Sequence, residues 1–358
     1  MSRIRTLLLS ASLLGLSSGM AMGAEMNVVA SIKPVHALVA GVMKGVGTPE
    51  LIVEGAASPH SYSLKPSQAA ALQEARLVFW IGHDLETFLD KPLDTIAKDG
   101  VSVSLFEAPG VTHLAFRENA GEDAHAHDEK TDRTDGDHAH EDHHDHDHDD
   151  HDHDGHDHGA EHDHGTDEAH EDHAADDHGH GHAHGAEDPH VWLDPDNAKA
   201  MTRHIAATLA QADPENAERY RENAADLTAR IDLMSQEIAD TLAPVRDKRY
   251  VVFHDAYQYF EKRFGLSSAG AITVSPEAKP SAARIAEIQH RIEDTGAVCV
   301  FSEPQFDPKL VTVAIEGTAA RKGSLDPLGN TLADSGTSYL DLMRGMAKEF
   351  KDCLSSAD

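Results

Sequence analysis

The stretch "RYVVFH", Arg249 to His254, reads as a β-strand that ends directly on an imidazole. Beyond it the chain alternates. "SAARIAEIQHRIEDTG" (281–296) has the spacing of a helix, "AVCVFS" (297–302) that of another strand, and "KLVTVAIEGTA" (309–319) and "SYLDLMRGMAKEFKDCL" (338–354) those of two more helices. The first half of the chain has the same rhythm. "MNVVASI" (26–32), "ELIVE" (50–54) and "RLVFWI" (76–81) read as strands, with helical stretches such as "PSQAAALQEA" (66–75) between them. Strands alternating with helices predict a parallel sheet covered by helices, here in two copies.

Two helices with Asp-Pro starts separate the copies. Asp194 and Asp213 are predicted N-caps, with Pro195 and Pro214 at the first helical position. In the second helix Tyr220, Leu227, Ile231, Met234, Ile238 and Leu242 form one apolar stripe. From Pro214 to Leu242 this helix would run roughly 43 Å at 1.5 Å per residue, enough to span two domains. The expected fold class is therefore α/β: two lobes, each a mostly parallel sheet flanked by helices, joined by one long rigid helix. The expected division is an N-terminal lobe over 25–195, linking helices over 196–246 and a C-terminal lobe over 247–358.

The 358 residues carry a net charge of −33, but residues 118–188 alone contribute −25, from 27 acidic residues against Lys130 and Arg133. The rest is only mildly acidic and has no basic footprint, which argues against nucleic acid as a partner. The same segment holds 20 of the 28 histidines. It has no apolar periodicity and too little apolar surface to offset its ordering entropy, so it is predicted to be a disordered insertion. Its densest run, "HHDHDHDDHDHDGHDH", offers His143, His144, His146, His148, His151, His153, His156 and His158 as accessory metal ligands. Ligands on such a segment must be ordered on binding, so weak, multiple and unselective sites are expected. The histidines of the insertion end at His184, six residues before His190.

Eight histidines lie in folding sequence: His36, His60, His83, His113, His190, His204, His254 and His290. In open α/β sheets, ligands bind where loops at the carboxyl ends of the strands converge. His60 lies in the loop after the second strand, His254 ends a strand, and His190 stands where order resumes. Three imidazoles meeting there suit zinc, with water or a carboxylate in the fourth place. The insertion would then be tethered beside that site. Each of the three alone reads more often as a polar surface residue than as a ligand. His83, also near a strand end in "WIGHDLE", is a further candidate; His204 and His290 fall inside helical patterns.

At the N-terminus, Arg3 and Arg5 precede the short apolar run "TLLLSASLLGL" (6–16) and the small residues "AMGA" (21–24). This is the pattern of a secretory signal, 1–24, cleaved near Ala24. The run is too short for a bilayer span, which takes about 20 residues. In an oxidising compartment the two cysteines, Cys299 and Cys353, suggest one disulfide; two separate buried thiols are the alternative.

"GAASPHSYSLKPSQ", "DPHVWLDP", "VVFHDAYQYFEKRFGL", "FSEPQF" and "SLDPLG", in this order, resemble the motifs of the metal-binding (cluster A-I) solute-binding family of ABC transporters. The resemblance spans nearly all the chain after the signal, including the His/Asp-rich insertion and the cysteine pair. It implies metal held between two lobes by His60, His190 and His254. It also implies a periplasmic carrier that delivers Zn²⁺ to an inner-membrane permease driven by a cytoplasmic ATPase subunit, and no catalysis; the carrier is expected to be a monomer. One position departs: some zinc-specific members have Glu before the first ligand, where this chain has Pro59. Water is then expected as the fourth ligand, with Asp326 the other choice and Glu303 a weaker one. Two other readings stand beside this one: a zinc buffer or chaperone without a transporter, and a zinc hydrolase using Asp255 as base.

Overall fold

The computed structural model describes residues 26–117, 187–273, 276, 279–332 and 339–355. The predicted signal segment and residues 118–186, with the eight accessory histidines, lie outside the described residues.

The first lobe contains β1 (Val28–Ala30), α1 (Lys33–Met43), β2 (Glu50–Leu51), α2 (Pro66–Glu74), β3 (Leu77–Trp80), α3 (Asp90–Thr95) and β4 (Val101–Ser104). Its strands pair in parallel in the order β2-β1-β3-β4. Next come α4 (Pro195–Ala212) and α5 (Ala217–Leu242). The second lobe contains β5 (Tyr250–His254), α6 (Gln258–Phe264), β6 (Gly270–Thr273), α7 (Ala282–Thr295), β7 (Cys299–Ser302), α8 (Lys309–Ala314), β8 (Arg321–Ser324) and α9 (Tyr339–Ser355). Its order, β6-β5-β7-β8, is also all parallel. The two sheets thus share one connectivity. In each, the chain goes to one side of the first strand and then to the other, leaving a crevice at the carboxyl ends of the first and third strands.

The long helix is where the sequence pattern predicted it, with one difference at its start. Residues Pro214–Asn216 form a 3-10 turn, and α5 proper has 26 residues, about 39 Å. Asp213 is the N-cap position of that turn but makes no side-chain capping bond; its carboxylate accepts from Asn216 Nδ2 and the Tyr220 hydroxyl. Asp194 does cap α4, accepting from the Asp196 amide at 2.8 Å.

α5, with its apolar stripe buried, packs against α1, α4 and α9. Burying each large aliphatic side chain along it contributes about 1.5–3 kcal/mol. One continuous apolar cluster runs from β1 and α1 through α5 to β5 and α9, so both sheets are anchored on a shared core. The fit is close: a Cβ on Gly41 would stand 2.8 Å from Leu227 Cδ2. A second, smaller cluster lies under α7 and α8.

Cys299 at the start of β7 is bonded to Cys353 in α9, closing a separation of 54 residues. This staples the last helix to the sheet and contributes roughly 4 kcal/mol on a chain-entropy account.

Three strands were not predicted. β4 is "VSVS", β6 is "GAIT" and β8 is "RKGS". All are four-residue outer strands with little or no large apolar content, and sheet pairing rather than propensity places them. The helix predicted over 309–319 ends at Ala314, before Gly317 at φ 82° turns the chain. Among the described residues no helix is long and apolar enough to cross a membrane.

At the crevice of the first lobe sits a fully buried carboxyl, Glu86. It accepts from the Ser31 hydroxyl and from the amides of Ile81 and Gly82. Burial outweighs these bonds and raises its pKa from 4.5 to about 7. A carboxyl whose pKa rises on folding favours the folded state below about 4.5, and that contribution is lost as pH climbs through about 7. Glu86→Gln should therefore remove one pH-dependent component of stability between about pH 5 and 7. Urea midpoints across that range, parent against variant, should converge at low pH and separate at high pH in the variant's favour; a constant difference would contradict the assignment.

Candidate metal centre

Three loops bring three imidazoles together. His60 stands in a 3-10 turn, Pro59–Ser61, after β2. Pro59 starts that turn, and the Ser58 hydroxyl caps it by accepting from the His60 amide at 3.3 Å. His190 caps the 3-10 turn Val191–Leu193 that leads into α4. His254 is the last residue of β5, at the crevice of the second lobe. Ring centroids are 5.4 Å apart for His60 and His190, 5.8 Å for His60 and His254, and 5.3 Å for His190 and His254. One nitrogen from each lies within 4.8 Å of the other two, the spacing of a shared cation. The Nε2 atoms of His190 and His254 are 3.4 Å apart.

Two of the rings are aimed by buried carboxylates. His190 Nδ1 is 2.6 Å from Asp188 Oδ1, and His254 Nδ1 is 2.6 Å from Glu303 Oε1. In each pair Nδ1 carries the proton to the carboxylate, which leaves the Nε2 lone pair for the centre; such outer partners fix tautomer and orientation at metal sites. Asp188 accepts further from the His190 amide and from Gln258 Nε2. Both carboxylates are buried, and among the described residues no Lys or Arg lines the centre. The pocket around the rings is mostly apolar: Pro59, Trp192, Phe306, Pro327 and Leu328, with Ser58 and Gln305.

The electrostatics keep His60 neutral. Burial, then repulsion from His190 and His254, lowers its pKa to about 2. At His254 burial also opposes the charged ring, but Glu303, aided by Asp188 and Asp255, outweighs it, so the pKa stands above 6.5.

The other sequence candidates are elsewhere. Asp326 does not join the three rings; its Oδ2 accepts from the Thr331 amide at 2.6 Å and the Thr331 hydroxyl at 2.7 Å, fixing the turn after β8. Glu303, weighed as a direct ligand, supports His254 from behind instead. His83 Nδ1 is 2.5 Å from Asp90 on the surface, His36 bonds the Pro49 carbonyl and His113 stacks on Phe106. His204 and His290 lie in α4 and α7. Asp255 is held by both nitrogens of a bidentate Arg117, which also pairs with buried Glu261. Asp188 was missed by sequence reasoning, although it stands two residues before His190 in "DPHVWLDP". Its reach to the imidazole depends on the Pro189 turn, which spacing alone does not give.

Two similar lobes on a shared core, with a three-imidazole pocket at strand ends, define a two-lobed cation-binding protein. Comparison with known proteins agrees. The model of the family "ZnuA: Zinc-uptake complex component A periplasmic" matches residues 28–353. The High-affinity zinc uptake system protein ZnuA of Brucella suis is 51% identical over 97% of both chains. The protein of that name from Paracoccus denitrificans is 42% identical over 99% of this chain and all of its own. This chain belongs to the zinc-uptake component A family. Among solved structures, a crystal structure of ZnuA shares the fold at TM-score 0.67 and 21% identity, covering 92% of this chain and 99% of the other. A ZnuA deletion mutant lacking 138–173, with zinc bound, superposes at TM-score 0.66 and 21% identity, covering 92% and 98%.

If Glu303 is what holds the His254 proton, Glu303→Gln should lower the His254 pKa, because burial then acts without its counter-charge. Histidine-detected NMR titration of the metal-free protein reads this directly. An unmoved His254 titration would break the pairing.

Proposed function

We propose that this chain is the periplasmic Zn²⁺-binding component of an ABC importer, a non-enzymatic carrier that binds zinc through His60, His190 and His254. It hands the ion to an inner-membrane permease driven by a cytoplasmic ATPase subunit. The observation that carries the reading is the three-ring cluster itself, two of its rings aimed by buried carboxylates. Three imidazole nitrogens facing one centre, with two buried carboxylates one step behind two of the rings, form a site suited to a positive charge. A divalent cation supplies it. An all-nitrogen set favours zinc over manganese, which prefers oxygen ligands. Zinc in such a site takes a fourth ligand to complete a tetrahedron, and here a water fills that place. The family and the relatives' names, zinc-uptake proteins all, support the same cargo.

Carriage rather than hydrolysis is favoured by the one acid near the site that sequence offered as a base. Asp255 is occupied by Arg117 and cannot readily take a proton from a bound water. The periplasmic location follows from the family and from the export pattern of residues 1–24, with cleavage near Ala24. The carrier acts as a monomer. The His/Asp-rich insertion serves as an accessory zinc capture or sensing element, with His143, His144, His146, His148, His151, His153, His156 and His158 its densest ligand set. It leaves and re-enters the fold at one place, because Ala115 and Glu187 are paired in an antiparallel bridge and the Asp188 amide donates to the Leu114 carbonyl at 2.7 Å.

The test is a chelator-competition titration of zinc on protein with 118–186 replaced by a short linker. One tight site is expected, lost by at least ~100-fold in His60→Ala, His190→Ala or His254→Ala. Binding should weaken as pH falls from about 7.5 to 5, because protons compete for the ring nitrogens. Zinc binding confined to the full-length chain, or indifferent to the three substitutions, would place the function in the insertion.

A further inference from the structure

One polar group in the pocket has no role in holding the three rings. Gln305 lines the pocket with the histidines. It sits in the tight turn after β7, closed by the Phe306 amide donating to the Glu303 carbonyl at 3.2 Å. Both atoms of its side-chain amide are buried from solvent and have no hydrogen-bond partner among the described residues. A primary amide has two donor hydrogens and two acceptor positions. Leaving all of them unsatisfied in a buried place is rare in native proteins, and calls for a bound group that supplies the partner.

The rest of the pocket wall identifies that group. Pro59, Trp192, Phe306, Pro327 and Leu328 offer no side-chain acceptor there; the Trp192 indole nitrogen is already committed to the Pro327 carbonyl. Glu303 Oε1 is taken by His254, and the Ser58 hydroxyl already accepts from the His60 amide with one of its two acceptor positions. No carboxylate joins the three rings as a fourth protein ligand: Pro59 stands where one would precede His60, and Asp326, whose Oδ2 accepts from Thr331 and whose buried Oδ1 has no partner among the described residues, is not grouped with the ring nitrogens. A water on the metal would carry two polarised O–H donors, and Gln305 is the pocket side chain whose buried acceptor has no partner among the described residues.

We propose that Gln305 is the positioning residue for the fourth ligand: its amide oxygen accepts a hydrogen bond from the water that completes the tetrahedron around the cation. The inference rests on the three-imidazole reading above. It makes the geometry of the fourth position a property of the turn after β7, on the same element end that aims His254 through Glu303. An outer-shell partner of this kind is worth roughly 10- to 100-fold in metal affinity.

The experiment uses the full chain with one equivalent of Co²⁺, whose visible ligand-field bands report the coordination sphere, and zinc affinity by chelator competition. Parent, Gln305→Leu, Gln305→Glu and His60→Ala are compared. Leu matches the bulk of Gln without its polar atoms; Glu keeps an acceptor oxygen. Gln305→Leu should bind zinc about 10-fold or more weakly and change the cobalt bands, while Gln305→Glu keeps four-coordinate bands and tight zinc. Gln305→Leu with the parent spectrum overturns the inference, whether or not affinity falls, because a role in packing alone would leave the coordination sphere intact. If Gln305→Leu does not fold, Gln305→Met serves in its place under the same criterion. Parent bands that survive His60→Ala would instead sink the three-imidazole reading and this inference with it; bands lost in His60→Ala but kept in Gln305→Leu overturn this inference alone.

Discussion

Asp188 is a carboxylate buried to zero exposure, and much of the site's order comes from satisfying it. A buried carboxylate without partners is strongly disfavoured. This one recruits the amide and Nδ1 of His190 on one oxygen and Gln258 Nε2 on the other. Its own amide reaches Leu114 and its carbonyl takes the Tyr259 hydroxyl at 2.8 Å. Leu114 belongs to the segment after β4, Gln258 and Tyr259 to α6 of the other lobe. Meeting the needs of one residue therefore fixes the ring of His190 and ties the lobes to each other beside it. Arg117 adds to this tie, reaching from the same segment to Asp255 and Glu261.

The two lobes use the same crevice for different ends. In each, a buried glutamate comes after the third strand of the sheet. Glu303 faces an imidazole and aims it at the centre. Glu86 faces a serine hydroxyl and two backbone amides, and its neutral form is favoured by burial. One topology thus places one buried glutamate behind an imidazole and another, its pKa raised by burial, against a hydroxyl and two amides. They differ in the partner at the end of the first strand, Ser31 or His254, and in placement, since Glu303 directly follows β7 while Glu86 comes six residues after β3.

How much of this was legible in the sequence depended on range. The strands "YVVFH", "LVFW" and "CVFS" and the stripe on α5 were legible because burial on a regular element writes a local pattern. The outer strands "GAIT" and "RKGS" write none, since they exist through pairing with neighbours. His60, His190 and His254 could be singled out because strand ends are a position that topology makes special. Asp188, Glu303 and Gln305 could not be given their roles that way. Each acts across a turn or between lobes, and the contact depends on side-chain direction that spacing does not carry. For Asp326 too the motif was visible, but the bond from its Oδ2 to Thr331 was not.

The bridge between Ala115 and Glu187 has a consequence for how such a chain can vary. Because the two ends of the intervening segment are paired, the fold meets that segment as a closed loop of arbitrary length. The entropy of closing a loop grows only with the logarithm of its length, about 0.6 kcal/mol for each doubling. Residues can be added or removed there at almost no thermodynamic penalty to the lobes. The length and composition of that segment are thus quantities that selection can adjust, while the geometry of the three rings stays fixed.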